Sequence, residues 1–264
     1  MIGREKEMQV IVCALVAREH CLLVGPPGTG KSMLVDNVAK AAGLSYWRYL
    51  ITKSTTVDEL FGSVTIDGLK DGTFRRNLAG RLASHELVFL DELYKGGSGV
   101  LNSVLSAMEE REFYNPAPVK LPLCSLFSAS NELPEGQDVH VLGALHDRFL
   151  LRTVVEPLDE SKWADLLNFQ SVALYLPLLI DPTVITVGPE IKTKLVELRL
   201  TLEREKKLKI SDRRFFKSVK LIQSWAAMNG RIEATLKDMI VLKYSWWNTI
   251  VDFRQIGDYI AAFA

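Results

Sequence analysis

The chain predicts an α/β fold: a doubly wound, parallel, five-stranded sheet over residues 1–156, followed by a smaller all-helical domain over 157–264. Three observations carry this. Short apolar bursts alternate with segments of helical spacing, the pattern of a parallel sheet flanked by helices. A glycine-rich run, Gly25-Pro26-Pro27-Gly28-Thr29-Gly30-Lys31-Ser32, joins the first burst to the first long helix. Beyond Glu156-Pro157 the bursts cease and long apolar helical faces take over.

Residues 4–18 have apolar positions at helical spacing, with charges gathered in the first turn. A strand follows at about 20–24, then the glycine-rich turn, then a helix from Lys31 to Ala42 that Gly43 stops. Tyr46 to Ile51, aromatic and aliphatic, predicts a second strand. Between Thr52 and Arg81 the pattern loosens: a short helix opens near Thr55-Thr56-Val57-Asp58, and glycines at 62, 68 and 72 mark a hairpin-like stretch. Leu87-Val88-Phe89-Leu90 is continuously apolar and so predicts a strand buried on both faces; it ends in Asp91-Glu92. A helix near Ser98–Glu110 comes next, then an exposed turn at Phe113–Pro118, a strand over Leu121–Ala129 ending at Ser130-Asn131, and a fifth strand near Phe149–Val155. In the second domain, helices are expected near 160–177, 189–207, 212–228 and 235–262.

With 264 residues, 48% of them hydrophobic, the chain is long enough to bury a sizeable core. Lys plus Arg equals Asp plus Glu at 32 each, so no global field draws nucleic acid or an anionic membrane, although a local basic groove stays open. Cys13, Cys21 and Cys124 are an odd set without Cys-x-x-Cys spacing, which points to small core side chains in a reducing compartment. The longest apolar stretch, Val10 to Ala17, is too short to span a bilayer. A soluble, cytosolic protein is expected.

The glycine-rich run is a phosphate cradle in its proper context between strand and helix. Glycines let the backbone turn tightly, so that successive N–H groups and a helix N-terminus aim at one spot. There Lys31 adds positive charge and the Ser32 hydroxyl is placed to hold Mg2+. Pro27, Gly28, Thr29, Gly30 and Met33 line the same spot, which suits a nucleoside triphosphate. An aspartate ending a buried strand opposite this loop would hold the metal beside Ser32, and the adjacent Glu92 would orient and deprotonate a water for attack on the γ-phosphate. The plainer alternative is that Asp91-Glu92 caps the next turn. Asn131, at the end of a neighbouring strand, would reach the γ-phosphate or the water; an Asn at a strand end also serves simply as a turn residue.

The order of motifs resembles the AAA+ ATPases, specifically the MoxR group and within it the RavA branch. Ile2-Gly3-Arg4-Glu5 is similar to the entry motif that flanks adenine, Gly25–Ser32 to Walker A, and Phe89-Leu90-Asp91-Glu92-Leu93 to Walker B. Ser128–Pro134 resembles sensor 1, Leu145-His146-Asp147-Arg148-Phe149 the arginine-finger segment, and Ser211-Asp212-Arg213-Arg214 sensor 2. Residues 63–76 correspond to a helix-2 insert, and 110–123, with an exposed Phe113-Tyr114, to the hairpin before sensor 1. The resemblance implies ATP and ADP as ligands with Mg2+, Ile2 and Gly3 at the adenine, and a homo-hexameric ring. It also implies that Arg148 acts on the neighbour's nucleotide and that Arg213, or else Arg214, folds over the phosphates from the lid. A salt bridge is the structural alternative for Arg148, and a local hydrophobic staple the alternative for the aromatic pair.

That reading gives a chaperone-like ATPase that remodels a protein client, often in company with a von Willebrand A domain protein. A motor on nucleic acid and a nucleotide-dependent ring scaffold are the other readings. The chain opens on the adenine-flanking motif and stops after the lid, so recruitment is expected from the inserts, the lid surface or a separate polypeptide.

Overall fold

The computed structural model describes residues 3–133, 138–162 and 181–263. Its centre is a five-stranded parallel sheet whose strands, from edge to edge, begin at Tyr46, Leu87, Ser125, Cys21 and Leu151. The strands are β1 (Cys21–Val24), β2 (Tyr46–Leu50), β3 (Leu87–Asp91), β6 (Ser125–Ser130) and β7 (Leu151–Val154). Every residue of β1 and β6 is buried, as a sheet covered on both faces requires. The chain leaves β1 for the far edge strand β2 and later returns from β6 across β1 to β7. This reversal opens a crevice beyond the strands' carboxyl ends, where a doubly wound sheet binds its ligand. Register puts Val24 opposite Ser130 and Asp91 opposite Ala129, so the loops after β1, β3 and β6 leave the sheet side by side.

Around the sheet lie α1 (Glu5–Val16), α2 (Lys31–Ala42), α3 (Val57–Phe61), α4 (Ile66–Lys70), α5 (Ser98–Glu110) and α6 (Asp138–Arg148). Gly43, at φ 66°, ends α2 in the left-handed conformation expected of it. α3 starts on a capping box in which Thr56 and Glu59 satisfy each other's backbone N–H groups. Residues 63–76 form only a single antiparallel bridge, Val64 to Arg76, with α4 at the tip.

Two expectations in the core need correction. Leu121–Ala129 does not run as one strand: β6 begins at Ser125, while Leu121 and Leu123 pack inward as loop residues. Residues 112–120 form the hairpin that the resemblance implies, β4 (Glu112–Tyr114) with β5 (Pro118–Lys120), but its aromatic pair is not exposed as a whole. Only Tyr114 of the aromatic pair is exposed. Phe113 stacks on Phe61 with ring centroids 4.2 Å apart, so it serves as the local staple. Asn115 then ties the hairpin to the insert, accepting from Arg76 N at 2.5 Å and donating to Arg76 O at 3.0 Å.

Beyond 188 the described residues are mainly helical: α7 (Pro189–Glu205), α8 (Asp212–Met228), a 3₁₀ helix at Leu236–Tyr244 and α9 (Ile250–Phe263). The single helix expected over 235–262 is therefore broken. Asp252 accepts from the backbone N–H groups of Asn248 and Thr249, and Thr249 Oγ1 accepts from Asp252 N, a cap that starts a new helix. Trp246 and Trp247 fill the break, both fully buried. The helix expected at 160–177 lies mostly outside the described residues; 160–162 form one 3₁₀ turn. α8 packs on α1, and Lys217 and Lys220 donate to the buried Glu19 carboxylate at 2.7 and 2.9 Å.

Candidate active site

The crevice beyond the strand ends has a volume of about 510 Å³ and is lined by Pro27 to Met33 together with Asp36, Arg48, Asp91, Glu92 and Asn131. Its floor is the turn after β1. Gly28 and Gly30 hold φ near +80°, and a Cβ on Gly28 would have no protein atom within 4 Å, so the loop presents bare backbone to open space. Thr29 Oγ1 braces the turn by donating to Pro26 O at 3.0 Å. Arg4, almost fully buried, donates to Thr29 O at 3.1 Å from outside, and this brace had no signal beyond its place in the entry motif. Gly3 adjoins it; Ile2 lies outside the described residues.

Lys31 Nζ donates to Gly25 O at 2.7 Å, Pro26 O at 2.9 Å and Asn131 Oδ1 at 3.1 Å, which uses all three of its hydrogens. Asn131 Nδ2 in turn donates to Glu92 Oε1 at 2.5 Å. One amide thus spans the loop lysine and the strand-end carboxylate. Burial lowers the pKa of Lys31, while Asp91 and Glu92 pull it back up. Glu92 sits in the left-handed region at φ 56°, a conformation of some cost for a non-glycine residue. Its backbone N–H stays tied to Ala129 O at 2.9 Å, and Lys95 lies 3.3 Å from its carboxylate.

Ser32 Oγ donates to Asp91 Oδ2 at 3.0 Å, so two hard oxygen donors meet at the mouth of the loop. Among the described residues no group of three His, Cys, Asp or Glu side chains could hold a metal unaided. A pair of this kind fits Mg2+, which keeps most of its shell as water and phosphate oxygens. Arg48, on β2, lies 3.7 Å from Asp91 Oδ2 and pairs with Asp36 at 3.1 Å. A lone arginine in an aromatic strand gives no local signal, and sequence reasoning missed it.

The structure does not bring the two distal arginines to this crevice. Arg148 Nε donates to Glu109 Oε2 at 2.9 Å, and Arg213 binds the same carboxylate through both its terminal nitrogens, one of them at 2.7 Å. Both therefore meet on α5. The hydrogen bond from Arg213 is the chief cause that holds the Glu109 pKa below its usual value, with Arg148 adding to it. Arg214 takes a different part: it is buried, donates to Asp147 Oδ1 at 2.8 Å and Asn248 Oδ1 at 2.8 Å, and so fastens the helical domain to the end of α6. Glu109, in the last turn of a helix read only for its apolar face, carried no chemical signal in the sequence.

Comparison with known proteins agrees with this architecture. Residues 1–172 match the model of the MoxR domain in MoxR-vWA-beta-propeller ternary systems, and residues 190–260 match an AAA lid domain. Two uncharacterized proteins of Methanocaldococcus jannaschii are 36% and 37% identical, over 97% and 98% of this chain and 70% of each of theirs. Protein MoxR of Paracoccus denitrificans is 26% identical across 59% of this chain and 47% of its own. A crystal structure from Cytophaga hutchinsonii, described as a candidate ATPase, superposes with a TM-score of 0.75 over the whole chain and 90% of its own, at 17% identity, which speaks for the fold. The chain belongs to the MoxR family of AAA+ ATPases.

Proposed function

We propose that this protein hydrolyses ATP to ADP and phosphate and uses the cycle, as a homo-hexameric ring, to remodel a protein client. The observation that carries the hydrolytic reading is the chain Lys31–Asn131–Glu92. It joins a phosphate-binding cation to a carboxylate at the strand end, in reach of a water beside the γ-phosphate. Lys31, Ser32 and the backbone of Pro27 to Met33 bind the polyphosphate, with Gly3 and Ile2 at the adenine. Ser32 and Asp91 hold Mg2+, which supplies charge neutralisation at the phosphate oxygens. Glu92 takes the proton of the attacking water.

Because every Lys31 hydrogen is already used, phosphate must displace one of its partners. The bond to Asn131 is the longest of the three and the only one to a side chain, so it is the one to yield. Arrival of the γ-phosphate thereby frees the Asn131 carbonyl to face the water while its amide still holds Glu92. Arg148, held by Glu109, is supplied to the neighbouring subunit's site, where an arginine in trans meets the charge of the transition state, while Arg213 leaves the same carboxylate to fold over the phosphates from the lid.

The division into a core over 1–156 and a lid over 157–264 belongs to the same proposal, as does a reducing cytosolic setting, in keeping with three unpaired cysteines. So does a RavA-like placement within the family. A von Willebrand A domain protein is the proposed partner, because the matched family model is described from systems that contain one. The test is Glu92→Gln: it should bind ATP normally, release no phosphate and retain the client on affinity capture. Phosphate release at the parental rate would remove Glu92 from its role.

A further inference from the structure

Arg152, on β7, is fully buried, yet among the described residues no carboxylate pairs with it and its Nε has no hydrogen-bond partner. Asp147 and Asp252 act on it only from beyond ion-pair distance, and a buried guanidinium without a contacting carboxylate is costly. One terminal nitrogen donates to His146 Nε2 at 2.6 Å and the other to Ser245 O at 2.5 Å. Its plane lies 5.0 Å over the Trp247 ring, whose Nε1 donates back to Arg152 O at 3.2 Å. Arg152 can only donate, so His146 Nε2 must accept and the ring proton must sit on Nδ1. From there it is given to Tyr94 Oη, 2.9 Å away. Burial, then the charges of Arg152 and Arg214, push the His146 pKa down to about 2, so the ring stays neutral and this direction of donation is fixed.

The ends of this chain fall at informative places. Tyr94 lies two residues after Glu92, in the 3₁₀ turn that follows it. His146, Asp147 and Arg148 are consecutive in the last turn of α6, and each is held by a different partner: Arg152, Arg214 and Glu109. Ser245 and Trp247 occupy the break between the last two helices of the helical domain.

We propose that Arg152 is a positioning residue that ties the turn carrying Glu92 to the turn carrying Arg148, through His146 and Tyr94 on one side and Ser245 and Trp247 on the other. The state of a subunit's own ATP site then sets the aim of the arginine it offers the next subunit. This rests on the proposed ring with Arg148 acting in trans.

The test compares Tyr94→Phe, which removes one hydroxyl and keeps the ring, with Arg148→Ala and the double variant, all as assembled rings. Tyr94→Phe should lower kcat about tenfold with KM for ATP within about twofold, because one buried hydrogen bond is lost and the phosphate cradle is untouched. The double variant should be no slower than Arg148→Ala alone, since both act through one group. His146→Gln, whose amide reaches the Nε2 position to accept from Arg152 but leaves nothing at the Nδ1 position facing Tyr94, should match Tyr94→Phe; unchanged melting of both excludes a folding defect. Additive losses, or a Tyr94→Phe ring at full speed, would overturn the inference and leave the trans arginine standing. An Arg148→Ala ring as fast as the parent would remove the trans reading and this inference with it.

Discussion

Asn131→Ala is the substitution that most sharply separates catalysis from binding at this site. The side chain makes two bonds, accepting from Lys31 Nζ at 3.1 Å and donating to Glu92 at 2.5 Å. Loss of the first leaves Lys31 with Gly25 O and Pro26 O, so ground-state binding of ATP by the loop should hold, with KM changed by less than about threefold. Loss of the second frees the carboxylate that must face the water. A hydrogen bond to a charged group contributes about 1.5–3 kcal/mol, and each 1.36 kcal/mol off a barrier is about tenfold in rate, so kcat should fall roughly 10- to 100-fold. Asn131→Asp should lose more, because it sets a second negative charge against Glu92. Steady-state phosphate release against ATP concentration reads both parameters. A tenfold rise in KM at unchanged kcat would show Asn131 to be a binding residue only, and a parental rate would reduce it to a turn residue.

Gly25→Ala should abolish tight ATP binding, because a Cβ there would lie 2.2 Å from Val155 O and force the loop off the end of β1; equilibrium titration with a fluorescent ATP analogue reads this, and parental affinity would contradict the packing. Glu19→Gln should lower the melting temperature by roughly 2–4 °C, about 1 kcal/mol, a value kept small because Lys217 and Lys220 are each more than a third exposed. Burial raises the Glu19 pKa, but the two lysines outweigh it and leave it lowered. A depressed carboxylate stabilises above its unfolded pKa and loses that contribution as pH falls through the folded value. The gap between parent and variant should therefore be full near neutrality and close in acid below the ordinary carboxylate range; a gap that widens in acid would reverse the assignment.

The parts of the site that were legible are those whose chemistry is written in consecutive residues. The glycine spacing of residues 25–32 dictates a backbone geometry, and Asp91-Glu92 announces itself by ending a wholly apolar strand. Both fall where expected. What the residues could not state is which strand ends become neighbours. The Lys31–Asn131 bond spans 100 positions and exists because β6 lies between β1 and β3, an order invisible to local pattern. Glu109 is the same case, since its two arginines come from α6 and α8. Arg213 was placed over the phosphates by resemblance, and nothing in its own neighbourhood marked the carboxylate that takes it. The break near 245–249 was legible and missed: Thr249 and Asp252 form a cap at the usual spacing, but the apolar pair Trp246-Trp247 reads as a continuing helix face.

The proposed ring completes the catalytic crevice of one subunit with Arg148 of the next. Mixing two inactive variants tests it directly. Glu92→Gln keeps Arg148 but cannot activate water, and Arg148→Ala keeps its crevice but offers the neighbour no finger arginine. In randomly mixed rings about one site in four pairs an intact crevice with an intact arginine, so phosphate release should return to about a quarter of the parental rate. Mixed rings that assemble, bind ATP and remain silent would contradict the account.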